Sequence, residues 1–514
     1  MDDQRPNEKC AQAGAGRGGT ICSGRVSRRR AIQLGVGLAA AGTLVGRWRW
    51  ATASQTPPGG EPLAEPPVRV GPDGLLDTSL TALRGPAQVG GVTATTTVYE
   101  EIVPGPTLRV RAGDRLRLVL VNRLGEDTNL HVHGLHVSPA GNADNVFVHV
   151  RPGQTFQYEY ALPADHPAGL YWYHPHLHGN SDPQLFGGMA GLLVVEGDLD
   201  ALPGIAGVPE RLLVLQATRL DAAGRVQFGD ELPNAPLTRL VNGQVNPTLQ
   251  IRPDETQRWR IANASADTFF RLQLDGHCLH QIAADGNTLA SVWSRDEVLL
   301  APGNRVEVLV QGGTAGRYAL RTLAYDKGAV SMGAALEPEA VLATLVSEGE
   351  PLAPTPLPTT LLPFADLREE QVARSRTVTF QVPMAGMRGM AGMHGMAGMR
   401  GMAGMMHDMF LIDSKGFDPN RVDQTVRLGS VEEWTIRNAS DEVHPFHIHV
   451  NPFQVVAVNG QRQEAHGYLD TATVPRRGEI TIRLRFADFP GKFVYHCHLL
   501  MHQDGGMMGV VEVV

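Results

Sequence analysis

The chain has 514 residues, 42% of them hydrophobic and 19% charged, with a formal net charge of −8. This composition excludes a disordered chain, and the length is enough for several domains with a sizeable core. The acidic balance argues against nucleic acid as a partner and is mildly favourable to cations.

The first 53 residues stand apart. Arg28, Arg29 and Arg30 precede an apolar run from Ala31 to Gly46, and Ala51, Thr52 and Ala53 form a small-residue cleavage site. The run is too short to span a bilayer comfortably. Together the three parts read as a secretory signal of the twin-arginine type, which exports folded proteins. The expected location is therefore the periplasm, cell envelope or exterior, with no stable membrane span after cleavage. The segment carries nine Lys/Arg and three Asp/Glu, a charge of +6, so its removal takes the chain from −8 to −14. Cys10 and Cys22 leave with it. The remaining Cys278 and Cys497 make no disulfide framework, and Cys278 reads as a buried core thiol. Residues 54–67 read as a linker.

Beyond residue 68 the chain runs in short alternating segments broken by Gly, Pro, Asn and Asp, such as Val306–Val310 and Ile480–Leu484. These predict an all-β protein of sandwiches or barrels. An internal repeat divides it. Gly169–His176 (GLYWYHPH) matches Gly491–His498 (GKFVYHCH), and Gly316–Leu323 (GRYALRTL) is a fainter copy. Pro152-Gly153, Pro302-Gly303 and Arg477-Gly478 precede the three copies at similar offsets. Spacing of this length means repeated domains rather than a solenoid. The expected domains are 68–200, 205–350 and 376–514, with a linker at 351–375 and an insert at 384–409 in the third. The middle copy has Arg321 and Leu323 where the outer copies have histidines, so it reads as a spacer without metal.

Ten of the nineteen histidines fall in four clusters: His131 and His133; His174 and His176; His444, His447 and His449; and His496, His498 and His502 around Cys497. On a strand, residues i and i+2 share a face and i+1 takes the other. Each H-x-H pair can then aim two imidazoles at one metal cluster. In His496-Cys497-His498 the thiolate faces away from the imidazoles, so one strand reaches two sites a few bonds apart. One thiolate, two imidazoles and a weak axial thioether describe a blue-copper site, and Cys497, His444, His502 and Met507 supply that set. Structural zinc would call for a closed set with paired cysteines. A lone H-x-H is usually coincidence; four clusters, two of them on repeated strands, are not. His136, His149, His166, His178, His277, His280, His394, His407 and His466 lie outside the pattern and read as structural, surface or supporting residues.

The insert has its own chemistry. Met384, Met387, Met390, Met393, Met396, Met399, Met402 and Met405 recur every third residue, followed by Met406 and Met409. Glycine at the same period disfavours a helix. Thioethers are soft ligands that favour Cu(I), so the segment reads as a Cu(I)-collecting loop. A flexible linker, or an oxidant sink through methionine sulfoxide, is the plainer reading.

These motifs resemble the three-domain multicopper oxidases: laccases, spore-coat laccases and copper-efflux oxidases. The resemblance covers nearly all of the chain after about residue 68. It implies three consecutive cupredoxin-like Greek-key domains and four copper ions per chain. By it, His444, Cys497, His502 and Met507 look like type 1 ligands, and His131 and His447 like type 2 ligands. His133, His174, His176, His449, His496 and His498 look like ligands of the paired type 3 coppers. The implied reaction oxidises a one-electron donor and reduces O2 to water, which consumes protons. Relatives often carry Glu directly after the last type 1 histidine; this chain has Gln503 there, then Asp504. Asp504 and Asp144 are the candidate proton carriers. The expected donor is Cu(I), with phenols or aromatic amines as the alternative and a non-enzymatic copper buffer as the third reading. Nothing in the sequence demands more than a monomer.

Overall fold

The structure is a computed structural model that describes residues 59–221, 224–226, 237–328, 335–383 and 409–514. The signal-like segment and the methionines from Met384 to Met406 lie outside the described residues. Among the described residues no helix is long and apolar enough to cross a membrane.

Alternation builds the strands. Arg115–Arg123 (RLRLVLVNR) and Glu479–Arg485 (EITIRLR) bury every second side chain, which turns one face to a core and one to water. Three pairs of sheets result, each pair from one contiguous stretch of chain. The first pairs a five-stranded with a four-stranded sheet between Val68 and Glu196; the second and third each pair a six-stranded with a five-stranded sheet, between Glu210 and Ser347 and between Arg374 and Val513. Their cores are separate, one around Leu118, Tyr158 and Leu193, one around Trp259, Leu272 and Val308, and one around Trp434, Phe446 and Cys497.

The repeat is a repeat of topology. Strands Gly169–His174, Gly316–Leu323 and Gly491–Cys497 each lie between an antiparallel partner further along the chain and one earlier in it. Gly169–His174 is buried at every residue, because its outer face packs on the second pair of sheets. Leu170, Trp172 and Leu192 join Leu212, Val214, Ala262 and Leu500 in a core shared across units. Gly169 and Gly286 meet there so closely that a Cβ on Gly169 would overlap the backbone of Gly286.

One expectation fails. Cys278 is only half-buried, in the turn between strands Phe270–Leu274 and Leu279–Ala284, and is not a core thiol. Gly276, at φ +70°, is exposed at this turn, and the neighbouring His277 and Cys278 lie partly exposed beside it.

Candidate metal centre

Strand pairing brings the four histidine clusters together. His131 is paired with His174 on one side, and His447 with His496 on the other. All ten histidines are at most 3% exposed, and Cys497 and Met507 are fully buried. Five groups of donors converge: His131, His133 and His447; His133, His174 and His498; His176, His449 and His496; His444, Cys497 and His502; and His131, Asp144 and His449.

Alternation along Gly491–Cys497 splits them as the sequence predicts. The Nε2 atoms of His176, His449 and His496 lie 3.1 to 3.3 Å from one another. His498 Nε2 lies 3.2 Å from His133 Nδ1. On the opposite face Cys497 Sγ is 3.5 Å from His444 Nδ1 and 3.7 Å from His502 Nδ1, and those two nitrogens are 3.2 Å apart. Met507 closes this side: its carbonyl accepts the Cys497 N–H at 3.1 Å and its N–H donates to the His502 carbonyl at 2.8 Å. Phe410 stacks on His502 with centroids 4.1 Å apart.

The donor chemistry fits metal ions. Burial holds most of these imidazoles well below the usual histidine range, with His174 and His444 at about 3, so the rings are neutral and offer lone pairs. Lone pairs that face one another across 3 Å repel unless a proton or a metal ion lies between them. The outer nitrogens of several rings are already engaged: His131 Nδ1 with Asp144 at 3.0 Å, His174 Nδ1 with the Pro175 carbonyl at 2.9 Å, His447 Nδ1 with the Asp470 carbonyl at 2.8 Å. The Nε2 atoms of those three rings are buried with no hydrogen-bond partner among the described residues, as ligand atoms would be. Burial pushes the Cys497 thiol up, so a thiolate there calls for an adjacent cation.

Models of multicopper oxidase domains match residues 84–200, 214–348 and 396–514. A multicopper oxidase from Campylobacter jejuni, described as a metallo-oxidase, superposes with a TM-score of 0.77 at 30% identity, covering 89% of this chain and 96% of that one. This chain belongs to the multicopper oxidase family. A laccase-like member from Ochrobactrum sp., with oxidase activity towards lignin model compounds, superposes with a TM-score of 0.75 at 28% identity, covering 88% of this chain and all of that one. Among curated proteins, the multicopper oxidase mco of Staphylococcus haemolyticus is 28% identical, over 81% of this chain and 83% of its own length. The cell division protein FtsP of Escherichia coli K12 is also 28% identical, over 80% and 83%.

Family membership leaves the acids to be read from this chain. Asp144 is 2% exposed, is pushed up to about 8 by burial, and accepts the Val132 N–H at 3.1 Å besides holding His131. Gln503 is fully buried, with its amide nitrogen 3.2 Å from Ser181 Oγ. Asp504 turns its carboxyl inward, accepts the N–H groups of Gly179 and Asp182 at 3.0 and 2.9 Å, and is pushed up to about 7 by burial. Asp182 beside it is raised by burial and by the Asp504 charge. His178 is half-buried against Phe417 and joins no donor group. Met409 is half-buried and packs against the core that holds Cys497.

Several functional neighbours carried no signal in the sequence. Ser440 Oγ lies 2.7 Å from His444 Nε2, and Glu442, 4% exposed, lies 3.7 Å from His502 Nε2. Asp470 lies 3.0 Å from His133 Nε2. Burial alone would raise its pKa, but Arg305 and the hydrogen bonds from His447 and Arg305 outweigh that and hold it below the usual carboxylate range. Asp470 stands in no motif, and only its contact with His133 reveals it.

Proposed function

We propose that the chain is a copper-loaded oxidase that takes single electrons from a donor and reduces O2 to water. The observation that carries this reading is the strand Gly491–Cys497 with the following His498, which presents donors to both sites at once. In this reading His444, Cys497, His502 and Met507 hold one type 1 copper, and His131 and His447 hold one type 2 copper. His133, His174 and His498 hold one type 3 copper, and His176, His449 and His496 the other. Bound copper would supply one-electron acceptance at the thiolate site and four-electron reduction of O2 at the histidine cluster.

The residues themselves do the arranging. Cys497 is bonded through the backbone to His496 and His498, and its carbonyl also accepts the His496 Nδ1–H at 2.9 Å. Electrons therefore have two short routes between the sites. Ser440 and Glu442 fix the outer nitrogens of His444 and His502. Asp504, backed by Asp182, and Asp144 supply protons to the cluster, with Gln503 unable to do so. The units 68–200 and 376–514 carry these residues, 205–350 lies between them, and the chain works as an exported monomer.

The donor we favour is Cu(I), on the strength of the thioether-rich segment 384–409 and its position just before Phe410. The Ochrobactrum relative supports phenolic or aromatic donors as the second reading, and the FtsP relatives support a role in cell division. The deciding experiment offers copper-loaded protein a Cu(I) complex or dimethoxyphenol and follows oxygen uptake. Faster uptake with Cu(I) supports the first reading, the reverse supports a laccase, and none with either overturns the oxidase reading.

A further inference from the structure

The middle pair of sheets contributes no member to any of the donor groups among the described residues. It nonetheless reaches the histidine cluster through Arg305, the first residue of strand Arg305–Gln311, which is 1% exposed. Its guanidinium donates to both oxygens of Asp470, from Nη1 to Oδ1 at 2.9 Å and from Nη2 to Oδ2 at 2.7 Å. The same group donates from Nε to the Leu170 carbonyl at 3.1 Å and from Nη1 to the Gly303 carbonyl at 3.1 Å. One side chain therefore ties together all three units. A buried planar fork on a carboxylate is the arrangement in which arginine cannot be replaced by a point charge.

Asp470 passes that constraint to two rings. Its Oδ1 accepts from His133 Nε2 at 3.0 Å and from Thr471 Oγ1 at 2.9 Å. Its backbone carbonyl accepts from His447 Nδ1 at 2.8 Å. Asp285, also on the middle unit, accepts the backbone N–H groups of Arg305 at 2.9 Å, Asp470 at 3.3 Å and Thr471 at 3.2 Å. The turn is thus held at both backbone and side chain. Gly134 leaves the room: with φ at +86°, a Cβ there would overlap Arg305 Nη2 and Asp470 Oδ2.

The consequence lies in which nitrogen each ring offers. His131, His174, His447 and His496 use Nδ1 for their outer hydrogen bonds, which leaves Nε2 for the cluster. His133 is reversed: its Nε2 faces Asp470 and its Nδ1 faces His498. A neutral imidazole carries one N–H, so an acceptor fixed at Nε2 leaves the lone pair at Nδ1.

We propose that Arg305 is a positioning residue for the histidine cluster: through Asp470 it fixes the reversed orientation of His133 and holds His447 beside it. The proposal rests on the reading of the cluster as copper-binding. It makes the middle unit a working part of the cluster rather than a spacer.

The test uses the full copper-loaded protein and the variants Arg305→Met and Arg305→Gln, both of which remove the fork. Copper per chain is measured during dialysis against a graded chelator. The visible thiolate absorption reports the Cys497 site, and the paramagnetic resonance signal of copper reports the cluster. The expected result is cluster copper bound about ten-fold more weakly or worse, with the thiolate absorption unchanged. Unchanged cluster affinity in either folded variant overturns the proposal. So does parallel weakening of both sites, the mark of general support to the fold. Wild-type protein with the thiolate absorption but no cluster copper would overturn the ligand reading, and this proposal with it.

Discussion

Gly303 offers a measurement of how tightly the middle unit presses on the cluster. A Cβ placed on it would lie 3.1 Å from His133 Cε1 and 3.1 Å from both Cδ2 and Cε1 of His498, where ordinary contact begins at 3.4 Å. Its φ is +90°, a conformation that an L side chain adopts only with strain. Gly303→Ala therefore carries two costs: about 1–2 kcal/mol for the backbone, and about 1–3 kcal/mol for crowding two rings that have nowhere to go. Gly153→Ala separates them, because Gly153 has φ +78° and nothing within 4 Å of its Cβ. Calorimetry of the metal-free proteins should show both variants destabilised, with Gly303→Ala lower by the crowding cost. At roughly 2–4 °C per kcal/mol for a unit of this size, that difference is about 2–12 °C. Copper per chain should fall for Gly303→Ala and hold for Gly153→Ala. Equal melting temperatures and equal copper content in the two variants would refute the claim that the turn packs against His133 and His498.

Cys497→Ser should abolish the visible thiolate absorption and oxygen uptake while cluster copper is retained, which paramagnetic resonance and copper analysis check together. Deleting residues 384–409 should lower Cu(I) oxidation with phenol turnover unchanged or raised; equal loss of both would mean the segment only supports the fold. Asp504→Asn should slow oxygen uptake by roughly 100-fold with copper content unchanged. Because burial pushes Asp504 up to about 7, its proton is available below that pH, and wild-type uptake should decline as pH rises through it. Acid should also unfold the metal-free protein early. His174 and His444 titrate at about 3 when folded against 6.5 when exposed. The unfolded chain therefore takes up protons first, and stability falls as pH drops from 6.5 towards 3. At pH 5 this amounts to roughly 2 kcal/mol for each ring, visible as a falling melting temperature that copper restores.

The division between what the sequence discloses and what it conceals follows distance along the chain. His496, Cys497 and His498 are legible because strand geometry acts over two residues: alternation alone assigns the thiolate to one face and the imidazoles to the other. The repeat is legible because the same strand was copied with its turn. Arg305 and Asp470 are 165 positions apart and meet only when the second and third units dock, so no local period announces them. Asp144 shows the intermediate case. It falls eleven positions after His133, near enough to be suspected, yet only the closed loop reveals that it orients His131 and not the ring nearer in sequence. Arg321 and Leu323 stand in the middle copy where the outer copies have histidines, and no residue of that unit joins a donor group among the described residues. The middle unit's contribution is made through the turn before strand Arg305–Gln311, where Gly303 faces His133 and His498 and Arg305 holds Asp470. A unit that supplies no donor among the described residues can still set the orientation of the rings that its neighbours hold.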